Sequence, residues 1–191
     1  MQSGGPFWEV ELGRHDALTT SSSAANNEIP KPTFSVPQLV ASFRRVGLDE
    51  KDVVALSGSH TIGKARCTSF QARIDNPATT LDRAYRATLQ RRCPKNHNDG
   101  NATSHLDPCT PTLFDNAYFR NLLAAKGLLP SDQVLTTTPG VTTQLVQAYA
   151  RDQGLSFRDF AAGMLKMGRS RVLGARHGEV RRNCRVPNSR E

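Results

Sequence analysis

No stretch of this 191-residue chain approaches the roughly 20 consecutive apolar residues that a membrane-spanning helix needs, so the sequence offers no such span. No Cys-x-x-Cys occurs, and the four cysteines, at 67, 93, 109 and 184, are too widely spaced for a usual structural zinc site. The run Gly58-Ser-His-Thr-Ile-Gly63 lacks a third glycine, a lysine and a preceding parallel strand, which argues against a phosphate-binding loop. No Ser/His/Asp set has a recognisable triad spacing, and no internal repeat is present. Aromatic residues make up only 6%, and none interleave with the basic residues as a nucleic-acid surface requires. Met1-Gln-Ser-Gly-Gly-Pro6 has neither a basic nor an apolar signal region. Taken literally, the chain is expected to stay in the cytosol.

What is present pulls in another direction. Twenty-five Lys and Arg against 17 Asp and Glu leave a net charge of +8. The basic residues are scattered, and in the C-terminal two thirds the only tight pairs are Arg91-Arg92 and Arg181-Arg182. Such an excess suits a secreted protein that adheres to an acidic matrix as well as it suits nucleic acid. Asn101-Ala-Thr103 is an N-glycosylation sequon in a polar stretch. Sequon and disulfides alike have meaning only in a secretory context.

Along the chain, residues 1–33 show little helical periodicity. Trp8, Val10 and Leu12 alternate as in an extended piece, and Ile29-Pro30-Lys31-Pro32 holds an extended backbone. From Ser35 the pattern turns helical: Val36, Leu39, Val40, Phe43 and Val46 recur at 3–4 spacing, and Gly47 stops them. Further helices are expected from Asp49 or Asp52 to Leu56, over Leu81–Gln90, over Asp115–Leu123, over Val141–Arg151 (closed by Gly154) and over Phe157–Met167. Shorter pieces are expected over Thr68–Ile74 and Ser131–Leu135. Met164 and Met167 read most simply as core. Residues 95–108 read as loop, with His97 and His105 solvated and without a role. The tail suggests a short extended pair around His177-Gly178. The expected fold class is all-α, with minor β elements.

Two stretches could carry chemistry. In Asp52-Val-Val-Ala-Leu-Ser-Gly-Ser-His60-Thr-Ile-Gly63, small residues flank a histidine, so a large flat ligand could approach it closely. The plainer reading is a surface histidine just past a helix end. A ligating histidine usually has its other ring nitrogen held by a carboxylate or carbonyl. Asp82, Asp107, Asp115, Asp132, Asp152 and Asp159 all qualify by position. The second stretch, Asp107-Pro-Cys-Thr110-Pro-Thr-Leu-Phe-Asp115, places hard oxygens on a stiffened, turning backbone. That suits calcium, although Asp115-Asn116 read on its own is more simply a helix cap.

Laid side by side, these stretches resemble the class III secretory plant peroxidases. The matching motifs run in order through essentially the whole chain. They are Gly5-Pro-x-Trp8-x-Val-x-Leu12-Gly-Arg14-x-Asp16, Ile29-Pro30-x-Pro32 and Asp52-Val-Val-Ala-Leu-Ser-Gly-x-His60-Thr-Ile-Gly63. Thr110-Pro-Thr-x-Phe-Asp115-Asn-x-Tyr118, Gly127-Leu-Leu-x-Ser-Asp132-Gln and Phe160-Ala-x-x-Met164-x-Lys-Met167-Gly follow, and Gly178-Glu-Val-Arg-x-Asn-Cys184 closes the series.

The resemblance implies haem b and calcium as cofactors. By it, His60 is the axial ligand of the haem iron, and Asp132 accepts from its Nδ1–H. Thr61, Asp107, Thr110, Leu113 (through its carbonyl) and Asp115 hold the calcium. Cys67 and Cys93 form a disulfide, worth on the order of 3–4 kcal/mol in the chain-entropy model. Pro30 lies where aromatic donors approach. Separately, the sequon makes Asn101 a candidate for a glycan. The partners are hydrogen peroxide and small phenolic donors. Acidic cell-wall polysaccharide is a further possible partner by charge, while nucleic acid and membrane are not expected. The protein would be a monomer, extracellular or vacuolar.

The family's distal motif, a histidine-phenylalanine-histidine-aspartate-cysteine run, does not occur in these 191 residues. His15, His97, His105 and His177 stand in other contexts. The expectation is therefore the proximal portion of one haem peroxidase domain, with 1–33 an extended lead-in and 34–191 helical. Its turnover would be impaired, and a non-catalytic remnant or a weak haem- or calcium-binding module is the alternative. Cys184 would lack its family partner and Cys109 is extra to the pattern.

Overall fold

The computed structural model describes residues 3–95, 101–174 and 176–188; His97 lies outside them. Among the described residues no helix is long and apolar enough to cross a membrane.

The lead-in contains a helix that the sequence reading does not anticipate, α1 (Ser22–Glu28). Ser21 caps it by accepting from the Ala24 N–H at 3.1 Å. It buries no side chain, so it has no apolar stripe for periodicity to reveal. Helix α2 (Val36–Arg44) begins where expected, with the Ser35 N–H donating to Gln38 Oε1. It ends near Gly47, whose φ of 81° a side chain would oppose. Helix α3 (Glu50–Ser57) starts on a reciprocal cap: Asp49 accepts from the Asp52 N–H at 3.0 Å and Asp52 from the Asp49 N–H at 2.8 Å.

A 3₁₀ turn, Gly58–Thr61, follows directly and carries His60. Strand β1 (Lys64–Arg66) then pairs antiparallel with β2 (Thr103–His105), Ala65 facing Ser104. β2 lies inside the stretch read as loop. Three residues are too few to display alternation, and their partner lies some forty positions away. Next come α4 (Gln71–Asp75), α5 (Arg83–Arg92), α6 (Ala117–Leu123) and α7 (Pro130–Gln133). α8 (Val141–Arg151) and α9 (Gln153–Gly168) complete the order. Gly154 does not close α8. Asp152 both stops α8 and caps α9 through the Leu155 N–H, so Gly154 falls in the first turn of the longer helix.

Among the described residues, three apolar clusters hold these elements. α3 is nearly surrounded, with Val53, Val54, Ala55 and Leu56 all buried against α2, α8 and α9. Tyr118, Phe119 and Leu122 of α6 pack on Val146 and Tyr149 of α8 in the same cluster. A second cluster joins Phe70, Ile74 and Leu89 to Leu128 around a disulfide between Cys67 and Cys93 (Cα–Cα 5.7 Å). The third gathers Leu48, Leu56 and Phe160, onto which Trp8 packs edge-on at 5.8 Å. Trp8 thus has its partner, but Val10 and Leu12 are 65% and 88% exposed, so the alternation read at 8–12 does not bury one face. The tail pairs with the lead-in rather than with itself, through a bridge of Asp16 with Glu179. Cys109 and Cys184 are free and exposed.

Gly58 has a different task from the one its sequence context suggests. A Cβ on it would lie 2.9 Å from Phe119 Cζ, so the missing side chain admits a core ring, not a ligand. Gly58→Ala is expected to cost about 1–3 kcal/mol through overpacking, read as a lowered thermal midpoint. An unchanged midpoint would contradict that packing.

Candidate functional site

His60 leaves the end of α3 on its 3₁₀ turn, and α7 brings Asp132 to it. Asp132 sits in the first turn of α7, where its Oδ2 accepts the Leu129 N–H at 2.9 Å. Its other oxygen, Oδ1, lies 2.8 Å from His60 Nδ1 and 3.1 Å from the Tyr118 hydroxyl. The carboxylate is 2% exposed. A carboxylate only accepts, so the neutral imidazole carries its proton on Nδ1 and keeps a lone pair on Nε2. Among the described residues none hydrogen-bonds Nε2. Of the six carboxylates the sequence left open, Asp132 alone faces His60. Asp82 and Asp152 cap helices, and Asp159 accepts from Tyr149 and Lys51.

The ring borders a cavity of about 590 Å³. Leu39, Phe43, Leu56, Phe160, Met164 and Met167 supply its apolar wall, and Pro30, Ser57 and Ser59 also border it. That volume falls among those of cofactor pockets, roughly 300–1,000 Å³. Met167 is 43% exposed and faces the cavity with Met164, so the methionine pair is not simply core.

Burial opposes a charge on His60, but the hydrogen bond and the negative charge of Asp132 outweigh it, and the pKa lies above its ordinary 6.5. A raised histidine stabilises the fold fully below the unfolded value and loses that contribution as pH rises through the folded one. With Nε2 free, the thermal midpoint should therefore fall from pH 6 toward pH 8. Asp132→Asn should flatten that slope, and an equal slope in both proteins would refute the pairing. A ligand needing the Nε2 lone pair should bind more weakly at low pH.

One residue beyond His60, four side-chain oxygens converge. Thr61 Oγ1 lies 3.2 Å from Asp107 Oδ2 and 3.1 Å from Asp115 Oδ1. Thr110 Oγ1 lies 3.3 and 3.2 Å from the same two atoms. Thr61 and Asp107 are fully buried. Each hydroxyl has one proton, so only two of these four contacts can be hydrogen bonds at once. The remaining close oxygens are what a hard cation would bring together. Asp107 is aimed by three donors on its Oδ1: the Cys109 and Thr110 N–H groups and Asn121 Nδ2. Leu113 lies in the same turn, its N–H bonded to the Thr110 carbonyl. Among the described residues no group of three or more His, Cys, Asp or Glu is placed to hold a metal ion; two of the four oxygens here are hydroxyls.

Tyr118 and Asn121 were missed by sequence reasoning. Tyr118 stands at the end of the quoted Thr110–Tyr118 motif, but nothing in the sequence showed that its hydroxyl meets Asp132. Asn121 had no signal. The spacing Gly58…Gly63-Lys64 does match a phosphate loop through its lysine. Ala65 stands where that loop needs a hydroxyl, and α3 rather than a strand precedes it. Asn101 is exposed at the approach to β2.

The family model described as Peroxidase matches residues 1–152. The chain is 47% identical over 193 residues to Peroxidase 49 of Arabidopsis thaliana, across 98% of this chain and 58% of that protein. It is 49% identical over 182 residues to Peroxidase 4 of Vitis vinifera, across 95% of this chain and 56% of that protein. With Peroxidase P7 of Brassica rapa subsp. rapa the identity is 46% over 189 residues, across 98% and 63%. The chain therefore spans 56–63% of the length of these relatives. The mostly helical fold, the histidine paired with a buried carboxylate and the match over most of its length agree: the chain belongs to the peroxidase family, in its plant class III branch.

Proposed function

We propose that this chain forms the proximal side of a haem peroxidase site. The reaction takes two electrons and two protons from two phenolic donors to reduce one hydrogen peroxide to two waters, releasing two phenoxyl radicals. The observation that carries this reading is the 2.8 Å contact of His60 Nδ1 with buried Asp132 at the wall of an apolar cavity. The site's residues fit a haem: Nε2 is available to iron, and the bordering side chains suit an apolar macrocycle. Bound there, haem would supply the electron-transfer chemistry with peroxide.

The chain's own residues would hold and tune that group. His60 would ligate iron through Nε2. Asp132 would pull on the Nδ1 proton, giving the ring anionic character that favours higher oxidation states of iron. Pro30 would border the edge where a phenol approaches. Thr61, Asp107, Thr110 and Asp115, with the Leu113 carbonyl, would bind calcium. Because Thr61 follows His60 directly, an ion there would fix the backbone of the ligand. A glycan on Asn101 and residence outside the cell or in the vacuole belong to the same proposal.

Haemin titration in the presence of calcium tests the reading. The full chain is expected to give a saturable Soret shift with a nitrogen-ligated spectrum, and His60→Ala should lose it. An identical spectrum in His60→Ala would overturn the assignment.

A further inference from the structure

We infer that Tyr118 is a positioning residue for His60, acting through the carboxylate oxygen the two share. The inference rests on the reading of His60 as the haem ligand. Asp132 Oδ1 receives the His60 Nδ1–H at 2.8 Å and the Tyr118 hydroxyl at 3.1 Å, while Oδ2 is occupied by the Leu129 N–H. Two donors on one oxygen compete for its electron density. The more Tyr118 draws, the less Oδ1 pulls on Nδ1–H, and the less anionic the imidazole becomes.

The geometry favours a tuning role over mere filling. Tyr118 is 2% exposed within the main core, where a phenylalanine would occupy the same space. A buried hydroxyl must find an acceptor, and this one uses the atom that holds the histidine. The rings also stand edge to face, with centroids 6.1 Å apart at 84°, so the phenol borders the imidazole from the side as well. Burial first, then the charge and hydrogen bond of Asp132, push the Tyr118 pKa well above its ordinary value. The phenol therefore remains a neutral donor throughout the physiological range.

The test compares wild type, Tyr118→Phe and a chain with 3-fluorotyrosine at position 118, a stronger donor of the same size. In the haem-loaded full chain, Tyr118→Phe should favour ferric over ferrous iron by about three- to tenfold, the worth of one ordinary hydrogen bond, read by spectroelectrochemistry. The fluorotyrosine chain should shift the opposite way. In the unloaded chain, NMR should place the His60 Nδ1 proton further downfield in Tyr118→Phe. If Tyr118→Phe fails to fold, the fluorotyrosine arm still decides the sign. Unchanged potentials and an unmoved Nδ1 proton in folded variants would overturn the inference. A haem spectrum indifferent to His60→Ala would instead overturn the ligand assignment, and the Nδ1 shift would still report on Tyr118.

Discussion

Haemin-loaded chain of these 191 residues is expected to oxidise phenols with peroxide at least 10²–10⁴-fold more slowly than a peroxidase with an acid–base pair opposite the iron. Cleaving the peroxide bond needs a proton taken from one oxygen and delivered to the other. In the family the distal histidine does this beside an arginine, and their motif does not occur in the sequence. The main-chain N–H of His15 donates to the Leu173 carbonyl, and His105 pairs with Lys64 through the backbone of the two-stranded sheet. Neither borders the cavity at His60. The residues that do border it are apolar or hydroxylic, with Lys31 and the His60–Asp132 pair as exceptions. Among the described residues that border the cavity, no second base stands beside a cation. Stopped-flow absorbance of phenol oxidation gives the rate. Turnover within tenfold of such a peroxidase, abolished by His60→Ala, would defeat the prediction and point to proton transfer by other groups of the chain.

Removal of calcium should lower the thermal midpoint by about 5–10 °C. An ion present at a hundredfold its dissociation constant stabilises by about 2.7 kcal/mol, and for a chain of this size each kcal/mol moves the midpoint by roughly 2–4 °C. The physical source lies in the four-oxygen cluster. Asp107 and Asp115 face each other across Thr61 and Thr110, and without a cation two buried carboxylates repel with only two hydroxyl protons between them. The expected comparison is calorimetry with calcium and with chelator, for wild type and Asp107→Asn. The variant should respond weakly to chelation. A wild-type midpoint indifferent to chelator would remove the ion from the site. Chelation should also loosen haem binding, because Thr61 is covalently next to His60.

The sequence was most legible where one helix face packs on a core. α2 and α8 follow their apolar stripes, and α8 runs over the expected Val141–Arg151. It was least legible where structure is local and exposed, as in α1, or non-local and short, as in β2. The buried polar groups fall between these cases. Asp52 could be read only as a helix-start residue, yet it is 1% exposed and ion-paired to Lys166 of α9 at 2.9 Å.

By itself the sequence determined the family, the mostly helical class and the residue types of the site, because ordered motifs and 3.6-residue periodicity are properties of the chain's order. Local pattern could not choose among six carboxylates for His60; only the family resemblance pointed to Asp132. Only the tertiary structure put Asp132 Oδ1 at 2.8 Å from Nδ1, gave Tyr118 a share of the same oxygen and turned Gly58 toward Phe119. The physical reason is that hydrogen bonds and close contacts depend on distances between segments 14 to 72 positions apart. Those distances come from how α3, α6 and α7 pack, which no local pattern records.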